Sequence, residues 1–291
     1  MSFFDKITAQ LPFGSKPLKA EYFFALSVGL SKVTAVVWSM FGNELDVLGH
    51  SASSYEGNDD LVDKSYQALN KALDGLDIEP QKVLFGVPDS WSVEDNLKDP
   101  YLKILQRMLK EFDLAPLAYV TTTNAISFMI QKQEGIPPTN ILFGIGNFVE
   151  ITLVRGGKVA GTRTFPRGEH LFEDIEKTLG QFTEVEVLPS KILLYATKQN
   201  EDLGKIKDDL MSYPWMQRLS FLHFPKIDVL EEGVEVEATV YAGASELNSG
   251  VDLKHSFSLK KPDQTEHFTK TLVAEPAETE DRDLGFVKGD I

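Results

Sequence analysis

The chain of 291 residues contains no cysteine. That excludes a disulfide framework, a thiolate metal site and a cysteine nucleophile, and an unstapled chain suits a reducing compartment such as the cytoplasm. Positive charge is scarce too, with 29 Lys and Arg against 44 Asp and Glu for a net −15. No dense Lys/Arg stripe offsets the surplus, so a polyanion is repelled and nucleic acid is not an expected partner. The longer apolar runs, such as Tyr22 to Leu26 and Ile141 to Phe143, fall far below the roughly 20 residues a helix needs to cross a bilayer. The histidines (His50, His170, His223, His255, His267) never fall at a familiar metal-ligand spacing, and no Gly-x-Ser-x-Gly elbow is present. Acidic pairs such as Asp59-Asp60 and Glu231-Glu232 read as solvated charges. What the chain does have is 42% hydrophobic content, enough to bury the core of one large domain or two small ones.

The two ends differ from the middle. Residues 1–20 place Phe3, Phe4, Ile7 and Leu11 at helical spacing before Pro12, Gly14 and Pro17. This reads as a short amphipathic helix, either docked on its own domain or serving as a peripheral membrane or partner anchor, for which Lys6, Lys16 and Lys19 speak. Residues 250–291 lose apolar periodicity, are charged and Thr-rich, and are broken by Pro262 and Pro276, as expected of a polar tail or linker. The final LGFVKGDI regains a few apolar residues and reads as a short docking motif or the start of a further element.

The middle repeats one plan. Strands are expected at Tyr22 to Leu26, Val33 to Phe41 and Leu45 to Leu48, with turns at Gly29 and Gly42-Asn43. A helix through Leu61, Leu69 and Leu73, a strand Lys82 to Val87, a helix Leu102 to Phe112, a strand Leu117 to Val120 and a helix Ala125 to Ile130 follow. About 120 residues later come strands Asn140 to Ile145, Phe148 to Val154 and Lys158 to Phe165, the last two joined at Gly156-Gly157. A helix Leu171 to Leu179, a strand Lys191 to Tyr195, a helix Leu203 to Leu210, a strand Ile227 to Leu230 and a helix Val236 to Leu247 complete it. Both halves, residues 21–138 and 139–249, therefore read βββαβαβα, an α/β duplication with a cleft between the units.

Paired βββαβαβα units resemble the actin-like ATPase superfamily, whose fold is ribonuclease H-like, and in particular its small bacterial branch that includes PilM and FtsA. The resemblance covers about residues 20–248. The family's first phosphate loop, which opens with an Asp-x-Gly pattern, matches ALSVGLSKV, with Ser27 at the acid position followed by Gly29 and Lys32. Its second matches LFGIGNFVEI, with Gly144 at the acid position while Gly146 and Asn147 keep the turn. Carboxylates at those positions hold a metal and its waters in relatives, work that a hydroxyl or a hydrogen atom does not replace. The Gly-rich adenosine loop corresponds to KILLYATKQNEDL, where Ala196, Thr197 and Lys198 stand in place of glycines. AYVTTTNAISF has no Glu to position an attacking water, and FPRGEHL places Gly168 at a helix entry, with Arg167 read as a solvated neighbour.

The resemblance with three degraded loops implies a non-catalytic scaffold of the PilM/FtsA type, with no catalytic residue, no metal and no cofactor expected. Such a protein would be cytoplasmic or peripheral at the inner face of a membrane, in pilus, secretion or cell-division machinery. It would bind a protein partner, such as a membrane protein's cytoplasmic segment, or a second copy of itself. Trp91, Trp215, Phe221 and Phe224, with Met216, are candidate partner-binding groups, or else core residues. The alternative is an active ATPase or nucleotide-dependent filament protein, using ATP and Mg²⁺ at Ser27, Gly29, Lys32, Gly144, Gly146, Asn147 and Gly168, with Asp89 or Glu150 supplying the acids. Small residues at Gly243 to Ser245 are expected to permit close helix packing rather than present a nucleophile.

Overall fold

A computed structural model describes residues 20–93, 96–248 and 251. The expected N-terminal helix and the polar tail beyond Val251 lie outside these residues. The first half runs β1 (Glu21–Val28), β2 (Lys32–Phe41), β3 (Glu44–Ser54), α1 (Asn58–Ala72), β4 (Lys82–Val87), β5 (Ser92–Val93), β6 (Asn96–Leu97), α2 (Asp99–Glu111), β7 (Ala115–Thr121) and α3 (Thr122–Glu134). The second runs β8 (Asn140–Ile145), β9 (Phe148–Arg155), β10 (Lys158–Pro166), α4 (Leu171–Leu179), β11 (Lys191–Ala196), α5 (Leu203–Ser212), α6 (Trp215–Arg218), β12 (Lys226–Val229) and α7 (Val234–Leu247).

Each half forms one five-stranded sheet, ordered β3-β2-β1-β4-β7 and β10-β9-β8-β11-β12. In both, an antiparallel meander is extended by parallel strands. The expected βββαβαβα order holds in each half, with the small β5–β6 hairpin and α6 as additions. The hairpin is drawn inward by Trp91, which stacks on Tyr101 of α2 at 4.3 Å and accepts a backbone bond from Lys98. The β9–β10 turn uses Gly156 and Gly157 at φ 54° and 77°, both in the left-handed region that two-residue hairpins require.

Strand alternation sorts the apolar residues into three clusters. Phe24, Leu26 and Val28 face α1 and α2, while Ile141, Phe143 and Ile145 face α4 and α5. The other sheet faces, with Phe23, Ala25 and Trp38 on one and Leu142, Val154 and Leu193 on the other, share a third cluster with α3 and α7. The layers are thus helices, sheet, helix pair, sheet, helices. Helix α7 can press on the first sheet because Gly243 lacks a Cβ, which would lie 2.3 Å from a methyl of Leu84. The small-residue reading of this helix is thereby accounted for. Val251, expected in the tail, is buried in the central cluster.

Three of the aromatic groups proposed for partner binding are core residues. Trp215 is fully buried and donates its indole N–H to the Leu210 carbonyl at 2.7 Å. Phe221 packs edge-on against it and Trp91 is buried on Tyr101. Large apolar area outweighs any surface role for these rings; Phe224 remains half exposed. Trp215→Ala should therefore cost about 3–5 kcal/mol in urea unfolding, whereas Phe224→Ala should stay within ~0.5 kcal/mol of the parent.

Candidate functional site

The C-terminal ends of the parallel strands and the meander turns of both sheets converge, where ligands of open α/β sheets bind. The first turn holds itself together: the Gly29 amide donates to Lys32 O at 2.7 Å, Tyr55 N–H donates to Ser31 O at 3.1 Å, and the Tyr55 hydroxyl donates to Gly29 O. In the second turn Gly146 N–H donates to Phe148 O at 3.0 Å, and the Thr197 amide after β11 donates to Ile145 O at 2.8 Å.

The two halves meet directly across this region. Ser31 Oγ donates to Thr197 O at 3.1 Å. Lys32 Nζ lies 2.5 Å from Glu235 Oε1 at the start of α7, and both side chains are about 6% exposed. Two charges so buried are tolerable only as a pair, because each alone would keep its full desolvation cost. Gln199 Nε2 adds a bond to Ala52 O at 3.2 Å.

The register explains what fills the centre. Tyr195, Gly144, Glu150 and Thr164 stand side by side on β11, β8, β9 and β10, on the face turned toward α7. A Cβ on Gly144 would lie 2.7 Å from the Tyr195 hydroxyl and 3.0 Å from Thr197 Cγ2. A Cβ on Gly146 would lie 2.3 Å from Thr197 Oγ1. The phenol thus occupies the space that an acidic side chain at position 144 would use. The remaining cavity, lined by Gly29, Lys32, Glu150, Tyr195, Thr197 and Glu235 among others, holds about 10 Å³. That is near the threshold for one water, whereas pockets for small molecules run to roughly 300–1,000 Å³. A triphosphate with its magnesium does not fit this arrangement.

Of the sequence candidates, the structure brings Gly29, Lys32, Gly144 and Gly146 to the junction. Ser27 is buried one step away, where its hydroxyl faces Gly86 beneath α7. Asn147 is exposed beyond the second turn, and Gly168 lies near Asp174, away from the cavity. Arg167 is not simply solvated: it pairs with Glu201 at 2.7 Å and its amide donates to Asn147 O. Among the described residues no group of three or more His, Asp or Glu could hold a metal ion, and no helix is long and apolar enough to cross a membrane.

Asp89 and Glu150 do come together, one from each half. Glu150 accepts from Ser90 N–H at 3.1 Å and weakly from Thr164 Oγ1 at 3.4 Å, while Asp89 accepts from Thr123 N–H at 3.0 Å. Burial pushes both carboxyls up, with hydroxyl and amide donors opposing it at Asp89; the neighbouring Asp89 helps raise Glu150 to about 7. Burial first, then these acids and Glu235, hold the Tyr195 phenol well above its ordinary value. Burial thus opposes the charged form of both carboxyls. Tyr195 and Glu235 were not legible as site residues, whereas Thr197 was read among the residues standing where the resemblance places glycines; the signal for Tyr195 was a large side chain in register with Gly144.

The same carboxyls set a pH dependence. Glu150 and, through burial and then Glu231, Glu237 are raised from 4.5 to about 7. Between those values the folded chain holds more protons than the unfolded one, so stability falls as pH rises through this window. At about 1.4 kcal/mol per pKa unit, Glu150→Gln should flatten that fall by on the order of 2–3 kcal/mol in urea titrations from pH 4.5 to 7.5. Lys32→Ala, which strands Glu235, should cost about 3–5 kcal/mol, and Lys32→Met with Glu235→Leu should recover most of it.

No family profile matches this sequence, and no curated protein sequence matches it. Solved structures are similar in shape. The ethanolamine utilization protein EutJ from Carboxydothermus hydrogenoformans superposes with a TM-score of 0.51 at 11% identity, over 79% of this chain and 92% of that one. A chain of a PilM–PilN type IV pilus biogenesis complex superposes with a TM-score of 0.50 at 12% identity, over 79% of this chain and 98% of that one. With the duplicated βββαβαβα order and the paired five-stranded sheets, these likenesses establish the actin-like ATPase fold for this chain.

Proposed function

We propose that this chain is a non-catalytic scaffold of actin-like fold, which holds a protein partner and does not turn over ATP. The observation that carries the reading is the filled junction: Tyr195 over Gly144, Thr197 over Gly146 and the buried Lys32–Glu235 pair occupy the space between the halves with the chain's own side chains. Opening it for a nucleotide would separate two buried charges and expose apolar surface, at a cost a ligand would have to offset. Asp89 and Glu150, the nearest acids for an active alternative, are buried and each already accepts a backbone amide.

For the partner, two features give support. One structural neighbour of the same fold is seen in a complex with a partner, PilM with PilN. On the second half, Met216, Leu222 and Phe224 form an exposed apolar stretch, Leu222 being 70% exposed. A partner of the kind expected from the sequence, the cytoplasmic segment of a membrane protein in pilus, secretion or division machinery, suits a rigid platform without catalytic demands. The chain would then work in the cytoplasm, peripheral to the inner membrane face.

Titration calorimetry with millimolar ATP and Mg²⁺ should give no binding heat, and phosphate release should stay at background. Saturable heat or turnover that Lys32→Ala abolishes would overturn the scaffold reading.

A further inference from the structure

A second cavity, of about 310 Å³, opens on the outer face of the first half, at the end of the sheet away from the junction. It lies between the C-terminal turns of α1 and α2. Phe24 lies at its floor, Tyr66, Leu69 and Leu73 line one side, and Phe112 and Leu114 the other. The rings of Tyr66 and Phe112 sit 5.4 Å apart, and Tyr66 is half exposed. Glu79 and Asp113 are the charged residues of the lining, which contains no Lys or Arg. This is an apolar groove with an acidic rim.

The chain enters the sheet beside this groove. Extending the parallel register of Phe24 with Val83 places Glu21 level with Pro80, a lining residue, and Glu21 pairs with Lys82 at 3.7 Å. Strand alternation puts the exposed Tyr22 on the face of β1 that carries Phe24. Nineteen residues precede Ala20, and they carry Phe3, Phe4, Ile7 and Leu11 at helical spacing together with Lys6, Lys16 and Lys19 against the single acid Asp5.

We propose that the groove is the docking site of this N-terminal segment, with residues 3–11 laying their apolar face against Tyr66, Leu73 and Phe112, and Lys16 and Lys19 of the linking stretch turned to Glu79 and Asp113. Three independent features agree. The apolar spacing fits a helix-in-groove contact. The charges are complementary, with Lys16 and Lys19 on the linking stretch and Glu79 and Asp113 on the rim, while residues 3–11 carry one acid and one base. The tether is adequate, because the eight residues from Pro12 to Lys19 span up to about 29 Å when extended, and a segment so linked binds at millimolar effective concentration. The groove is thus an intramolecular interaction surface, which a partner of similar basic, apolar chemistry would have to displace.

The lack of cysteine gives a clean test in the full chain. Asn70 and Gln81 are exposed lining residues, and Ser212 is an exposed position on α5. Under mild oxidation, Ile7→Cys with Asn70→Cys, or Ile7→Cys with Gln81→Cys, should form a disulfide within the monomer at least tenfold faster than Ile7→Cys with Ser212→Cys, since bridging needs Cα atoms about 4.4–6.8 Å apart. Adding Glu79→Lys and Asp113→Lys should slow the reaction several-fold at low salt. Equal rates for all three pairs would overturn the proposal. So would products found only as cross-linked dimers, which would assign the groove to a second copy. So, too, would failure of both groove pairs to cross-link in solution while the chain binds vesicles of anionic lipid, which would assign the segment to a membrane surface.

Discussion

The contact on which the junction depends is the phenol of Tyr195 lying across Gly144. The two residues are neighbours in register, so a side chain at one position and the ring at the other compete for one volume. With hydrogen at position 144 the ring lies flat, Thr197 closes over Gly146, and the halves approach until Lys32 reaches Glu235. A carboxylate at 144 would push the ring away and add negative charge to a region that already holds Asp89, Glu150 and Glu235. A side chain at position 144 and the closed junction therefore exclude one another.

Closure has an electrostatic counterpart. Ion pairs in a dry interior contribute little net stability but make the closed geometry specific, because any arrangement that parts Lys32 from Glu235 leaves charge without water or partner. The Asp89–Glu150 pair works in the opposite sense. Burial raises both of its carboxyls, and its amide donors from Ser90 and Thr123 tie the segment after β4 to α3 and to the second sheet. The junction is therefore held by one salt bridge, the amide bonds to Asp89 and Glu150 and side-chain bonds such as Ser31 Oγ to the Thr197 carbonyl.

Much of the architecture was legible because period and punctuation agreed. Lys82–Val87, Asn140–Ile145 and Leu171–Leu179 appear with the limits expected, the two strands as compact apolar runs and the helix through the spacing of Leu171, Ile175 and Leu179. β3 extends to Ser54 where Leu48 was expected to end it, since His50 to Ser53 pair with β2 through backbone bonds that side-chain polarity does not report. The aromatic residues of SYPWMQRLSFLHF were ambiguous because Trp215 and Phe221 fold back on Leu210 across a four-residue helix, a tertiary arrangement with no periodic signature. In the site, glycines and missing acids were visible one at a time. That Tyr195, Thr197 and Glu235 meet at one junction required knowing which strands lie side by side, and register between β8 and β11, about 50 residues apart, is not written in either strand alone.

The position of α7 bears on how the chain acquires its structure. This helix is the last described element, yet it packs against β1 and β4 of the first sheet and against α3, with Gly243 seated on Leu84. During synthesis, the part of the first sheet's inner face that α7 covers, over β1 and β4, stays open until residues 234–247 have left the ribosome. The outer clusters close within each half, but the central cluster is completed only when α7 docks, and a nascent chain short of it carries an exposed apolar patch of the kind that invites chaperone binding.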